Sequence, residues 1–137
     1  MSSKEQIIAF MKAEFPQSKI EILAVGNRGA TVKQTIGEGE LRPGGTVSGP
    51  VLMAVADAAI YVAIFGELGL VALAVTTSFN INFLRKPSAN RDIIGICKLI
   101  KVGKLLVVGE VSLYSEGKEE LMAHVVATYA IPLKVKS

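Results

Sequence analysis

Residues 50–65 contain a single charged side chain, that of Asp57, in a run that is otherwise almost wholly apolar. A helix that is apolar on every side is a buried helix, so this run predicts the core helix of a small domain. The run is shorter than the roughly 20 residues that a membrane span needs, and a carboxylate lies in its middle. An unpaired buried carboxylate is strongly destabilising, so Asp57 is a candidate catalytic base with a tuned pKa.

The segments around this helix predict one further helix and about six strands. Apolar side chains at helical spacing, a serine cap and Pro16 indicate a helix over residues 3–15. Residues 19–36 are typical of a hairpin with its turn at residues 26–29, and residues 37–49 form a glycine-rich loop. The remaining predicted strands cover residues 70–84, 92–102, 105–115 and 119–131.

This order of elements predicts an α+β fold, in which a curved antiparallel sheet of about six strands wraps around one long apolar helix. A chain of 137 residues is long enough for one such domain, so residues 1–137 are predicted to form a single domain. Half of the residues are hydrophobic, which is high for a monomer of this size. We therefore expect a homo-oligomer.

The net charge indicates which partners to expect, and the cysteine content indicates the cellular compartment. The 15 basic and 12 acidic residues give a formal net charge of +3, which is too weak to indicate nucleic acid and better suits an anionic small molecule. Cys97 is the only cysteine, so no intramolecular disulfide can form, which fits a reducing compartment. The N-terminal residues lack the pattern of a signal peptide. We expect a cytoplasmic protein whose partners include neither nucleic acid nor membrane.

His124 is the only histidine in the chain. Without a second histidine the sequence supports no zinc site, and we predict no metal. On the last predicted strand His124 alternates with Met122 and Val126, as an ordinary strand residue does. We therefore expect His124 to have no catalytic role.

Residues 45–57 read Gly-Thr-Val-Ser-Gly-Pro-Val-Leu-Met-Ala-Val-Ala-Asp. This segment resembles the signature of the phenylacetate-degradation type (PaaI-like) acyl-CoA thioesterases, which have the hotdog fold. In that family it reads Gly-Thr-hydrophobic-His-Gly-Gly, followed seven residues later by the catalytic Asp or Glu. Residues 81–87, Ile-Asn-Phe-Leu-Arg-Lys-Pro, also resemble the family's Phe-Leu-Arg-Pro-like strand end. The resemblance extends over about residues 20–132.

The resemblance implies an acyl-CoA thioesterase, a thioester hydrolase, that assembles as a homodimer or as a homotetramer of two dimers. Asp57 falls on the general base or nucleophile, Gly49 on the glycine whose N–H polarises the thioester carbonyl, and Thr77 near the residue that positions water from the partner subunit. Coenzyme A is implied only as part of the substrate, with no separate cofactor. The candidate substrate-binding residues are Arg42, Ser48, Pro50, Val51, Asn82, Phe83, Arg85 and Lys104.

Thioester hydrolysis needs a base or nucleophile, a water molecule and donors for the developing oxyanion. Free N–H groups at the start of the core helix can be those donors. Pro50 has no N–H, so we expect Gly49 and Val51 to supply them. We expect the acyl chain to lie along the core helix and the strand that carries Phe79 and Phe83.

The chain departs from the family pattern at two places. Ser48 and Pro50 replace the His and the second Gly, and Arg42 occupies the position where related enzymes often have Asn or Gln. A positive charge near Asp57 would lower its pKa. Two further readings therefore stay open: a non-catalytic acyl-CoA or lipid-binding module on the same fold, and a dehydratase or hydratase, which would need a catalytic histidine.

Overall fold

The computed structural model describes residues 3–37, 40–42, 46–69, 74–87 and 90–132, without the side chains of Leu41, Arg42 and Thr46. These residues contain two helices, α1 (Lys4–Glu14) and α2 (Gly49–Leu68), and eight strands. The strands are β1 (Ile20–Gly26), β2 (Gly29–Gln34), β3 (Leu41–Arg42), β4 (Thr46–Val47), β5 (Val75–Phe83), β6 (Ile93–Val102), β7 (Leu106–Ser115) and β8 (Ala123–Ala130).

Six of the strands form one antiparallel sheet in the order β1-β2-β6-β7-β8-β5. Helix α2 packs on one face of this sheet, chiefly against β6 and β2. The helix approaches the strands closely because Gly95 of β6 has no side chain: a Cβ there would lie 3.1 Å from Cγ1 of Val55. The predicted α+β arrangement of six strands and one long apolar helix is confirmed.

Helix α1 begins with the predicted serine cap. The Ser3 side chain accepts from the Gln6 N–H, and the Gln6 side chain accepts from the Ser3 N–H. This reciprocal pair satisfies two donors that the first turn would otherwise leave free. Phe10 of α1 packs edge-on against Phe65 of α2, with ring centroids 5.1 Å apart. The two helices are therefore neighbours on the same side of the sheet.

Several boundaries differ from the sequence predictions. The strand predicted over residues 70–84 covers Val75–Phe83 as β5; residues 70–73 lie outside the described residues, and Ala74 is not in a strand. Helix α2 continues two residues beyond the predicted end at Gly66 and stops at Gly69, whose φ of 93° favours glycine. The loop predicted over residues 37–49 contains the short β3–β4 ladder. The last strand begins at Ala123 instead of residue 119, because residues 116–122 form a turn and an extended connection.

The prediction that α2 is buried on every side is wrong for the single chain. The sheet covers one side of the helix, where residues such as Val55, Ile60 and Ile64 are fully buried. The opposite side exposes Met53, Ala54 and Asp57. By length and composition α2 could cross a membrane, but a soluble core helix has the same properties, and half of this helix is buried in protein.

Candidate functional site

Asp57 lines a cavity of about 400 Å³ between α1, α2 and the start of β1. The wall from α1 is apolar, with Met11 and Phe15, and α2 adds further small or apolar side chains. The residue is exposed in the single chain, on the side of α2 that the sheet leaves uncovered. The other lining residues are Gln17, Ser18, Lys19, Ile20, Gln34, Glu40, Val51, Ala54, Ala58 and Tyr61.

Two hydroxyl groups from the sheet hold the Asp57 carboxylate. The Thr76 hydroxyl donates to Oδ1 over 3.2 Å, and the Tyr129 hydroxyl donates to the same oxygen. Tyr129 Oη also lies 3.2 Å from the main-chain oxygen of Asp57. Thr76 and Tyr129 face each other across β5 and β8, so the strand register brings both hydroxyls to one point.

Although Asp57 is exposed as a residue, its carboxyl group is partly desolvated. This desolvation raises its pKa above the ordinary value, and the hydrogen bond from Thr76 opposes part of that rise. The pKa of Tyr61, one helical turn further along, is also raised, first by burial and then by the negative charge of Asp57. Desolvation favours the neutral form of a carboxyl group, whereas donors favour the charged form. Asp57 is therefore a stronger proton acceptor than an ordinary aspartate, as a general base requires.

The bulge in β5 decides which threonine reaches Asp57. The pairing with β8 shifts between Thr76 and Ser78, so Thr76 lies on the face that α2 covers. Thr77, by contrast, donates its hydroxyl to the main-chain oxygen of Thr128 over 3.3 Å and does not contact Asp57 of its own chain. Its expected role, to position water from the partner subunit, stays a prediction.

The start of α2 leaves one candidate oxyanion donor. The Ser48 side chain caps the helix and accepts from the Val51 N–H over 3.3 Å. The Leu52 N–H bonds the main-chain oxygen of Ser48, and Pro50 has no N–H. Among the described residues none accepts from the N–H of Gly49. Of the two donors expected from the sequence, Val51 is already engaged in the cap and Gly49 remains.

A second groove of about 430 Å³ lies beside Gly49, at the end of β5. The Phe83 ring forms part of it and packs so closely that a Cβ on Gly49 would lie 3.4 Å from Cζ. Arg85 is at the rim and pairs with Glu120, with 3.2 Å between Nη1 and Oε2. The other lining residues are Val47, Leu52, Leu84, Lys86 and Pro87.

The remaining predicted site residues lie away from both cavities, or their side chains lie outside the residues that the structure describes. Asn82 is exposed and faces His124 across the β5–β8 pair, on the sheet surface turned away from α2. His124 lies there beside Glu110, with 3.3 Å between Nε2 and Oε1. Lys104 is exposed in the turn between β6 and β7. The side chain of Arg42 lies outside the described residues, so its expected effect on Asp57 stays a prediction.

Sequence reasoning missed Thr76 and Tyr129. The alternation of β8 could have indicated Tyr129, since Ala123, Val125, Ala127 and Tyr129 are buried on the face toward α2. Nothing in the sequence marks the bulge that selects Thr76. Cys97 is the buried strand residue expected, and burial raises the pKa of its thiol to about 12.

Comparisons with known proteins agree with this architecture. The sequence profile of the Thioesterase superfamily matches residues 44–122. A solved structure from a Silicibacter species, assigned provisionally as a thioesterase, is 41% identical and superposes with a TM-score of 0.88, over 96% of this chain and 92% of that one. A search of curated protein sequences found no match.

Two more distant structures are similar in fold. A point variant of the phenylacetic acid degradation protein PaaI from Thermus thermophilus is 23% identical, with a TM-score of 0.74 over 90% of this chain and 99% of that one. Zebrafish thioesterase superfamily member 2 is 20% identical, with a TM-score of 0.83 over 96% of this chain and 100% of that one.

Proposed function

The chain belongs to the thioesterase superfamily, and we propose that it is an acyl-CoA thioesterase in which Asp57 acts as general base or nucleophile. Membership of the superfamily, with its hotdog fold, indicates thioester hydrolysis in general. The role of Asp57 is supported by the environment of its carboxylate. This group borders a cavity, accepts two hydroxyl donors on one oxygen and has a raised pKa.

As a general base, Asp57 would take a proton from a water molecule while the water oxygen bonds to the thioester carbon. The carbon–sulfur bond then breaks, the coenzyme A thiolate leaves, and the proton passes from Asp57 to the sulfur. A thiolate is a good leaving group, since thiols titrate near ~8.5, so one carboxyl group suffices for both transfers. As a nucleophile, an Asp57 oxygen would bond to the thioester carbon while the carbon–sulfur bond breaks and the coenzyme A thiolate leaves. Water would then hydrolyse the resulting mixed anhydride, which releases the carboxylic acid and restores Asp57.

One chain cannot present Asp57 and Gly49 to the same carbonyl group. They are eight residues apart on α2, which corresponds to about 12 Å along the axis. They also border different cavities. Catalysis requires the base and the oxyanion donor each within about 3 Å of the reacting group. We therefore propose a homodimer in which Asp57 of one protomer faces Gly49 of the partner subunit.

Two exposed features could form this dimer. The uncovered side of α2 carries Met53, which is 39% exposed, next to Ala54 and Asp57. Strand β5 is at the end of the sheet and pairs with β8 alone among the described strands, so its other edge can pair with a second copy. A partner across these surfaces would remove water from Asp57 and raise its pKa further.

The two cavities suggest where the substrate lies. The apolar wall formed by Met11 and Phe15 beside Asp57 suits an acyl group, which modifies the expectation that the acyl chain follows Phe79 and Phe83. Arg85 and Lys86 beside Gly49 suit the phosphates of coenzyme A. No cofactor beyond the coenzyme A of the substrate enters this scheme, and a cytoplasmic location stays a prediction.

Hydrolysis of a panel of acyl-CoA thioesters, followed by release of the free thiol, tests the proposal. We expect Asp57→Ala to lose activity by a factor of about 10² to 10⁴, because a positioned acid–base group contributes that much. Glu119→Ala removes an exposed carboxylate outside both cavities and serves as the matched control. His124→Ala tests the dehydratase reading and should hydrolyse normally.

Two outcomes would contradict the assignment. Activity that survives Asp57→Ala removes Asp57 from the mechanism. Tight binding of acyl-CoA by the parent protein with no release of thiol would favour the non-catalytic acyl-CoA or lipid-binding module. Calorimetric titration with a non-hydrolysable acyl-CoA analogue measures that binding directly.

A further inference from the structure

The Asp57 carboxylate is bonded on one oxygen only. Thr76 and Tyr129, partners across β5 and β8, both donate to Oδ1. Among the described residues no donor reaches Oδ2. The sheet therefore holds one oxygen of the carboxylate and leaves the other for a molecule in the cavity.

Tyr129 is held rigidly between the sheet and α2. The residue is 2% exposed, and its ring centroid lies 6.5 Å from that of Tyr61. Its hydroxyl contacts both the carboxylate and the main-chain oxygen of Asp57. Because water is largely excluded from the Tyr129 hydroxyl, its hydrogen bond to a charged group is stronger than one at the surface.

We propose that Tyr129 is a positioning residue of the active site: with Thr76 it fixes Oδ1 of Asp57 and directs Oδ2 to the water or to the thioester carbon. This inference rests on the proposed function, since it assumes that Asp57 does the chemistry. It adds a residue on β8 to the predicted catalytic residues, all of which lie on α2 and β5.

The direction of the pKa change follows from the bonding. A donor stabilises the charged carboxylate, so loss of the Tyr129 hydroxyl must raise the pKa of Asp57. The Lys19–Glu40 pair on the cavity wall, with 3.1 Å between Nζ and Oε2, is internally compensated and contributes little net charge. The other titratable groups around the site are Glu14 and Tyr61, and the side chain of Arg42 lies outside the described residues.

The experiment compares the parent protein with Tyr129→Phe. Titration of the Asp57 carboxyl carbon by ¹³C NMR should show a pKa about one unit higher in the variant, since a hydrogen bond to a charged group is worth about that much. The acidic limb of the pH profile of kcat/KM should move to higher pH by the same amount. The KM should stay within about twofold, because Tyr129 acts through Asp57 and not on the substrate.

Matched variants separate this role from a general loss of packing. Thr76→Val should also raise the pKa of Asp57, because it removes the other donor to Oδ1. Tyr114→Phe, on the sheet surface away from α2, should shift neither the titration nor the pH profile. An unshifted titration in Tyr129→Phe overturns the role of Tyr129 alone, whereas a parent protein without thioester hydrolysis overturns the proposed function.

Discussion

Asp57 is a residue whose environment suits chemistry better than stability. Because burial raises its pKa, the folded protein binds the Asp57 proton more tightly than the unfolded chain does. The contribution of Asp57 to stability is therefore most favourable at acidic pH. It declines as pH rises from the ordinary aspartate value through the raised one. At neutral pH the ionised carboxylate destabilises the fold, as functional groups in active sites often do.

We therefore predict that Asp57→Asn increases the melting temperature at pH 7. The amide oxygen still accepts from Thr76 and Tyr129, while the partly desolvated charge is removed. The expected gain is at most about 2 °C, or less than 1 kcal/mol for a chain of this size, because solvent on the exposed side of Asp57 screens much of its charge. Thermal unfolding at fixed protein concentration measures it, and at pH 3, where aspartate is protonated in both states, the gain should vanish. A variant that is less stable than the parent at pH 7 would contradict this account.

Residue identity in the site was only partly predictable. Asp57 and Gly49 stand out in the sequence because one is charged in an apolar run and the other precedes a helix. Thr76 and Tyr129 do not, since their roles depend on a bulge and on the register of two strands. Ser48 was predicted to bind substrate; in the structure its hydroxyl caps α2, and substrate binding by Ser48 stays a prediction.

At the scale of elements, α1 illustrates what sequence patterns omit. Its limits follow from the Ser3 cap and Pro16, but the pattern does not say where the helix packs. In the structure α1 lies beside α2, so Met11 and Phe15 become a wall of the cavity that holds Asp57. Phe15 also packs edge-on against Tyr61, with ring centroids 6.3 Å apart. Under the proposed function, an element outside the family motif would therefore set the length of acyl chain that fits.

We predict that Met11→Trp shifts the preference toward shorter acyl chains. The larger ring would occupy the apolar wall next to Asp57, so kcat/KM for the longest accepted acyl-CoA should fall at least about tenfold relative to a short one, as expected when a pocket loses room for a methylene group. Leu23→Trp, at an exposed apolar position of β1 outside the cavity, is the control. An unchanged chain-length profile in Met11→Trp would place the acyl group elsewhere.

At the scale of the whole molecule, the sequence predicted one α+β domain and an excess of apolar surface, and the structure shows where that surface lies. One part is the uncovered side of α2. Another is the sheet surface turned away from α2, where Ile96, Leu106 and Val126 are exposed. We propose that the first forms the catalytic dimer and the second joins two dimers into a tetramer. Neither surface could be located from the sequence, because both depend on which side of α2 and which face of the sheet pack against each other.

The proposed active site, built from two chains, predicts that two inactive variants restore activity when they form a mixed dimer. Gly49→Pro removes the one main-chain donor left free at the start of α2, and proline is compatible with the first helical turn. Asp57→Ala removes the base. Each variant alone should be nearly inactive. Gly49→Ala keeps the N–H, and its Cβ would meet Phe83 at an ordinary contact distance of 3.4 Å, so it should lose far less activity than Gly49→Pro.

When Gly49→Pro and Asp57→Ala chains are co-expressed, about half of the dimers should contain one chain of each kind. In such a dimer one site lacks both groups, while the other combines Asp57 from the first chain with Gly49 from the second. The co-expressed mixture, purified through a tag that both chains carry, should therefore recover about a quarter of the parent kcat per chain. Recovery cannot occur if one chain supplies both groups, since neither variant then contains an intact site. A mixture no more active than the two separate variants would contradict the two-chain site. The proposed role of Gly49 as oxyanion donor would then also be wrong.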